Sequence, residues 1–175
     1  MPAHNSWQLV VATMQSAASS FQKDADDALS RLEDDSSSNV VNVSRFARMQ
    51  LVMTAVGGFS MLEGILEQSM GWTKPYQELE QRLRESGHAS LADTLMTFKM
   101  AINVLKHGYG ESYERLKRRS NLPFRVKLPE QQFFDEGDVS EIPGLILADH
   151  RFVHSCARVI EQAFTSLQIP SVEIS

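Results

Sequence analysis

Apolar residues recur every three to four positions along most of this chain, the spacing of helices that bury one side. After Ser6, the series Trp7, Val10, Val11, Met14, Ala18, Phe21, Ala25, Leu29 and Leu32 predicts a first helix over residues 6–34. The acidic, serine-rich stretch EDDSSSN that follows has no period and reads as an exposed loop. A second stripe, Val43, Phe46, Met49, Met53, Val56, Phe59, Leu62, Ile65 and Leu66, predicts a helix over residues 40–70. Inside it lies Gly57-Gly58, at a cost of about 2 kcal/mol of helix propensity. Compensation is expected from another helix or a subunit approaching the bare backbone, unless the pair marks a kink.

Thr73 in the N-cap place, with Pro75 in the first turn, predicts a short polar helix that ends at Gly87. Ser90 then caps a helix with Leu91, Leu95, Phe98, Ala101, Ile102 and Leu105 on its apolar face, stopped by Gly108 and Gly110. ESYERLKRRS adds a further helical turn or two. Residues 122–144 hold three prolines and an alternating FRVKL, the mark of an extended excursion over the surface. A last helix is predicted over 145–167 from Leu147, Phe152, Val153, Ala157, Ile160 and Phe164. The fold class is all-α: an up-and-down helical bundle of five to six helices, one domain over 1–175, with an irregular extended insertion before its last helix.

Composition adds little to that picture. With 42% hydrophobic and 22% charged residues in 175, the chain is an ordinary globular one. The single cysteine, Cys156, cannot form an internal disulfide, so no oxidising compartment is required. No basic region precedes the first apolar residues, and the longest uncharged apolar run, MQLVMTAVGGFSML, is shorter than the ~20 residues that span a bilayer. A cytoplasmic protein without a membrane partner is the expectation.

Charge changes the picture more. The net charge is −5, yet Arg115, Lys117, Arg118, Arg119, Arg125 and Lys127 fall in a stretch without an acid, and residues 130–149 carry only acids. The basic run is either a local phosphate-binding patch or a solvated face neutralised by the acidic one.

Lys99, Asn103 and His107 are spaced i, i+4, i+8 and so share one helix face. An ammonium, an amide and an imidazole in line suit an anionic ligand. On RNA, the metal-free chemistry would be attack of a 2′-hydroxyl on its own phosphate, with His107 as base or acid and Lys99 stabilising the developing charge. The plainer reading has His107 capping the carbonyls of its own helix, Lys99 solvated and Asn103 bonded locally. His150 and His154 are four apart, but no complementary ligand pair is present elsewhere, so no metal or cofactor is expected. No glycine elbow surrounds a serine, and Cys156 lies on an apolar helix face, so no nucleophile is nominated. The methionines concentrated in residues 49–100 suit core gaps or a subunit interface.

The segment AINVLKHGYG resembles the signature helix of the HEPN family, small helical bundles whose motif is Arg-Asn followed three residues later by His. Asn103 and His107 occupy the asparagine and histidine places. AVGGFSMLEGIL, residues 55–66, resembles that family's second long helix, with Glu63 in the place of its accompanying acid. The sequence departs from the motif at Ile102, which stands where the arginine belongs; Lys99, one turn earlier, is the geometric substitute. The resemblance implies a homodimer with paired motifs at its interface, acting on RNA in toxin or defence settings. It would be either a metal-independent endoribonuclease or a degenerate RNA-binding member. Its site would hold Lys99, Asn103, His107 and Glu63, with the basic run along the RNA. The alternative is a non-enzymatic helical homodimer, or a module docking a protein partner, that associates through the Gly57-Gly58 helix and its methionine-rich face.

Overall fold

The computed structural model describes residues 7–32, 38–128 and 144–169. Ser6, residues 33–37 of the loop expected at 33–39, most of the insertion and the acids from Glu130 to Glu141 lie outside the described residues; Ser38 and Asn39 of that expected loop are helical instead. Six helices are described: α1 (Trp7–Leu32), α2 (Ser38–Met70), α3 (Pro75–Glu85), α4 (Ala89–His107), α5 (Glu111–Lys117) and α6 (His150–Ser166). The all-α bundle expected from the periodicity is the architecture observed.

Long helices α1 and α2 lie along one another, α1 also packs on α6, and α4 rests against α2, α3, α5 and α6. Each turns its stripe inward. Val10, Val11, Met14 and Ala18 of α1 meet Ala55, Phe59, Leu62 and Leu66 of α2, with Leu95, Phe98 and Ile102 of α4 and Phe152, Cys156 and Ile160 of α6 completing one continuous core. Trp7 closes the end of that core, its ring 5.3 Å from Phe164 and its Nε1 donating to the Ile169 carbonyl at 3.2 Å.

Helix boundaries depart from expectation at three places, for local reasons. The α3 N-cap is Lys74 rather than Thr73, with Pro75 as the first helical residue and no side chain capping the end. Before α4, the His88 amide donates to the Leu83 carbonyl and the Gly87 amide to that of Arg84, with Gly87 at φ 82°. This left-handed glycine stop closes α3 and lets α4 begin at once, at Ala89 ahead of Ser90. Helix α6 begins at His150 rather than near 145, because the Asp149 carboxylate accepts from the Phe152 amide at 2.8 Å.

The residues before Asp149 are extended. Lys127 N–H donates to the Leu145 carbonyl and Leu147 N–H to that of Arg125, an antiparallel bridge that ties the two ends of the insertion together. Phe124 anchors this bridge in the core, 5.3 Å from Phe98 and 5.4 Å from Phe152 between ring centres.

Helix α2 shows what the glycine pair is for. A Cβ on Gly58 would run into the Met14 sulfur, so this residue lets α1 close on α2, whereas a Cβ on Gly57 would meet nothing. From Phe46 to Met70 the helix is also long and apolar enough to cross a membrane, which a count of uncharged runs misses because the apolar character continues past Glu63 and Glu67. A third of its most apolar window is buried in the bundle.

Candidate functional site

The α4–α5 hairpin carries the polar line. Helix α4 ends because Gly108 takes φ 71°, with its amide donating to the Val104 carbonyl at 2.8 Å. After Tyr109 and Gly110, α5 turns back along α4. Asn103 Nδ2 reaches Ser112 Oγ at 3.5 Å, the outer limit of a hydrogen bond. Farther along, an Arg119 guanidinium N–H donates to Thr97 Oγ1, which itself donates to the Asp93 carbonyl. The hairpin is locked by Tyr113, buried, whose hydroxyl donates to the Lys127 carbonyl at 2.7 Å.

Along this line the three sequence-nominated side chains go from half-buried at Lys99 and Asn103 to exposed at His107. Lys99 is half-buried: its ammonium stands 3.5 Å from Glu63 Oε2 and 4.4 Å above the centre of the Tyr76 ring. Tyr76 is itself buried, and its hydroxyl donates to the Phe59 carbonyl at 2.7 Å. Burial lowers the Lys99 pKa from its ordinary value, and Lys106 adds to the effect, against an opposing pull from Glu63. Burial also pushes the Tyr76 phenol well up, with Glu63 adding to the shift. Asn103 is half-buried against α5, and His107 is exposed at the helix end. Ile102, in the place of the motif arginine, is 1% exposed and belongs to the core.

The basic run divides in the same way. Lys117 pairs with Glu114 at 3.0 Å and lies over the Tyr113 ring, and Arg119 is turned to Thr97. Arg125 and Lys127 also have partners. Arg115 and Arg118 are exposed, as are Lys106 and His107, and the side chain of none of the four makes a hydrogen bond or ion pair with a described residue. Tyr109, in the turn between α4 and α5, is 66% exposed, its ring edge-on to Tyr113 at 5.2 Å. Lys106 and Tyr109 were not nominated from the sequence. Lys106 follows Asn103 by three residues and so shares its face, and an aromatic between two turn glycines has no core to enter.

His154 Nε2 is 3.4 Å from Ser19 Oγ, and among the described residues no cluster of three or more His, Cys, Asp or Glu could hold a metal ion. Cys156 is buried, and burial pushes its thiol well up, away from the reactive thiolate.

A second feature lies on the long helices. Between α1 and α2 runs an apolar groove of about 530 Å³ that includes Leu9, Thr13, Met53, Gly57, Met61 and Gly64 and has no charged residue in its lining. Lys99, Asn103 and His107 line neither this groove nor the polar hollow around Trp72, Arg82 and Gln168. No family model matches the chain, and no curated protein or solved structure does.

Proposed function

We propose that this is a HEPN-like, RNA-directed protein that binds single-stranded RNA at the α4–α5 corner without cleaving it. The observation that carries the reading is an exposed aromatic, Tyr109, that follows the exposed Lys106 and His107 at the end of α4, with the exposed Arg115 and Arg118 along the α5 segment that leads away from it. These cations are not spent on a described acid. Cations that follow a backbone and an aromatic face that stacks on any base are the two components of single-strand recognition. Cleavage by the motif's own arrangement would need a cation at the arginine place, or at its geometric substitute Lys99, free to meet the developing phosphate charge. Ile102 is in the core, and Lys99 spends its charge on Glu63 and the Tyr76 ring. Asn103 and Ser112 hold the two helices together beneath the corner.

The test is fluorescence anisotropy of the full chain with a labelled single-stranded RNA in EDTA, at several salt concentrations. Binding at low salt is expected, weakening steeply as salt rises. Tyr109→Ala should weaken it by ~10-fold or more through lost stacking, and Arg115→Ala should reduce the salt slope by about one. The RNA should remain intact throughout. Absence of binding at 50 mM salt overturns the proposal, and cleavage that is lost in His107→Ala overturns its non-catalytic part.

A non-enzymatic association module is favoured by a different observation, the charge-free groove between α1 and α2. That surface is compatible with RNA binding, because it involves none of the corner residues.

A further inference from the structure

Helix α2 is apolar on two sides, and the bundle uses only one. Its core side carries Ala55, Phe59, Leu62 and Leu66, all fully buried. Opposite them, centred on Gly57, the turn of a helix places Phe46, Met49, Met53, Met61, Gly64 and Ile65 within about 80° of one another's midline. Phe46, Met53 and Met61 are 60% exposed or more, an arrangement that a soluble monomer rarely leaves contiguous.

We infer that this face is an interface between two copies of the chain, with the two α2 helices antiparallel across a two-fold axis at Gly57. The inference is independent of the RNA reading. Its first support is symmetry. A two-fold interface must be complementary to itself, so that if residue i meets residue j, then j meets i. About Gly57 the pattern is close to palindromic: Met53 and Met61 flank it at four residues on either side, and Met49 and Ile65 at eight. Each face therefore offers projecting methionines and the depressions that receive them. Gly57 and Gly64 both have open space where a Cβ would stand, which is what close approach of a second backbone requires.

The second support is area. The exposed fractions of Leu9, Phe46, Met49, Met53 and Met61, at about 200 Å² for each large side chain, sum to on the order of 500 Å². The floor of the adjoining groove adds to that, approaching the about 800 Å² per partner of a stable complex. The third is chemistry. Gln50 and Gln68 lie along the same face towards its two ends; a facing helix can hydrogen-bond their amides, and hydrocarbon cannot. This argues for a second protein chain over a bilayer, although α2 has the length and composition to enter one.

The register yields a charge-swap experiment. Met53 and Met61 lie about 12 Å apart along one helix, too far to pair within a chain, but Met53 of one copy should meet Met61 of the other. The full chain, measured by sedimentation velocity from 1 to 100 μM, should be a dimer in the upper part of that range. Met53→Glu and Met61→Lys should each raise the dissociation constant at least 10-fold with an unchanged circular dichroism spectrum. The double variant should recover most of the loss, through two Glu–Lys pairs across the axis. Flotation with neutral and anionic phosphatidylcholine-based vesicles is run alongside. A monomer throughout, a dimer indifferent to both single variants, no recovery in the double variant, or a monomer that floats with vesicles would each overturn the inference.

Discussion

Helices α2 and α6 are both rich in apolar residues, and they use them differently. In α6 a single stripe, from Phe152 through Ala163 and Phe164, is buried in full, while Arg151, Arg158, Glu161 and Gln162 face water. In α2 one stripe enters the same core and a second, Phe46, Met53 and Met61, stays outside. Amphipathicity identifies a helix whose apolar side is satisfied by its own bundle. A helix apolar on both sides has a remainder, and that remainder is where association is to be sought. The sharpest break of this comparison is truncation on the two sides. Phe152→Ala should cost about 3–5 kcal/mol, since it empties a site where Phe98 and Phe124 both pack. Met61→Ala should change the stability of the monomer by no more than about 0.5 kcal/mol. Urea unfolding at a concentration too low for association measures both, and a comparable loss at Met61 would mean that the outer face is not outer.

The glycine pair gives a finer version within α2 alone. Gly57→Ala should stabilise the monomer by about 0.5–1 kcal/mol, because helix propensity improves and the new methyl meets nothing. Gly58→Ala gains the same propensity but drives its Cβ into Met14, a core side chain 1% exposed that must repack. The two variants should therefore differ by about 1–2 kcal/mol in thermal or urea unfolding, Gly58→Ala being the less stable. Equal stabilities would show that Met14 moves aside at no cost.

The glycine pair also illustrates how far the sequence could be read. That two adjacent glycines in a helix require a close neighbour follows from propensity; that one faces α1 and the other open space depends on tertiary packing. The helices themselves were legible because their stripes run through many turns. Their starts were less so: Thr73 and Ser90 have capping chemistry but neither caps, because Pro75 and the left-handed Gly87 fix the chain first. Asp149 does cap α6, and the apolar Leu145 to Leu147 ahead of it obscured the signal. At the polar line, periodicity correctly grouped Lys99, Asn103 and His107 on one face. It could not show their depth, since Lys99 is covered by Tyr76 and Glu63 from two other helices.

That depth sets up the smallest effect, and the one most informative about the polar line. Desolvation of Lys99 outweighs the attraction of Glu63, so its pKa lies below its ordinary 10.5. Glu63 keeps about a third of its side-chain exposure and tolerates loss of its partner in water. Lys99→Met, which keeps the stem over the Tyr76 ring, should thus be neutral or stabilise by up to about 1 kcal/mol near pH 7. The sign with pH follows from linkage. Below its folded pKa, Lys99 is charged in both states and the full burial penalty applies. As pH rises from there towards 10.5, the folded protein gives up the proton before the unfolded chain does, so the wild-type protein gains stability relative to Lys99→Met. The advantage of the variant should therefore shrink between neutral pH and about pH 10. Tyr76 works in the opposite direction, because the unfolded phenol ionises first and the fold then loses stability, but it is present in both proteins and largely cancels in the difference. If Lys99→Met instead destabilises by more than about 1 kcal/mol at pH 7, the ion pair with Glu63 is a structural clamp. Lys99 then has a reason to be there that has nothing to do with an anion.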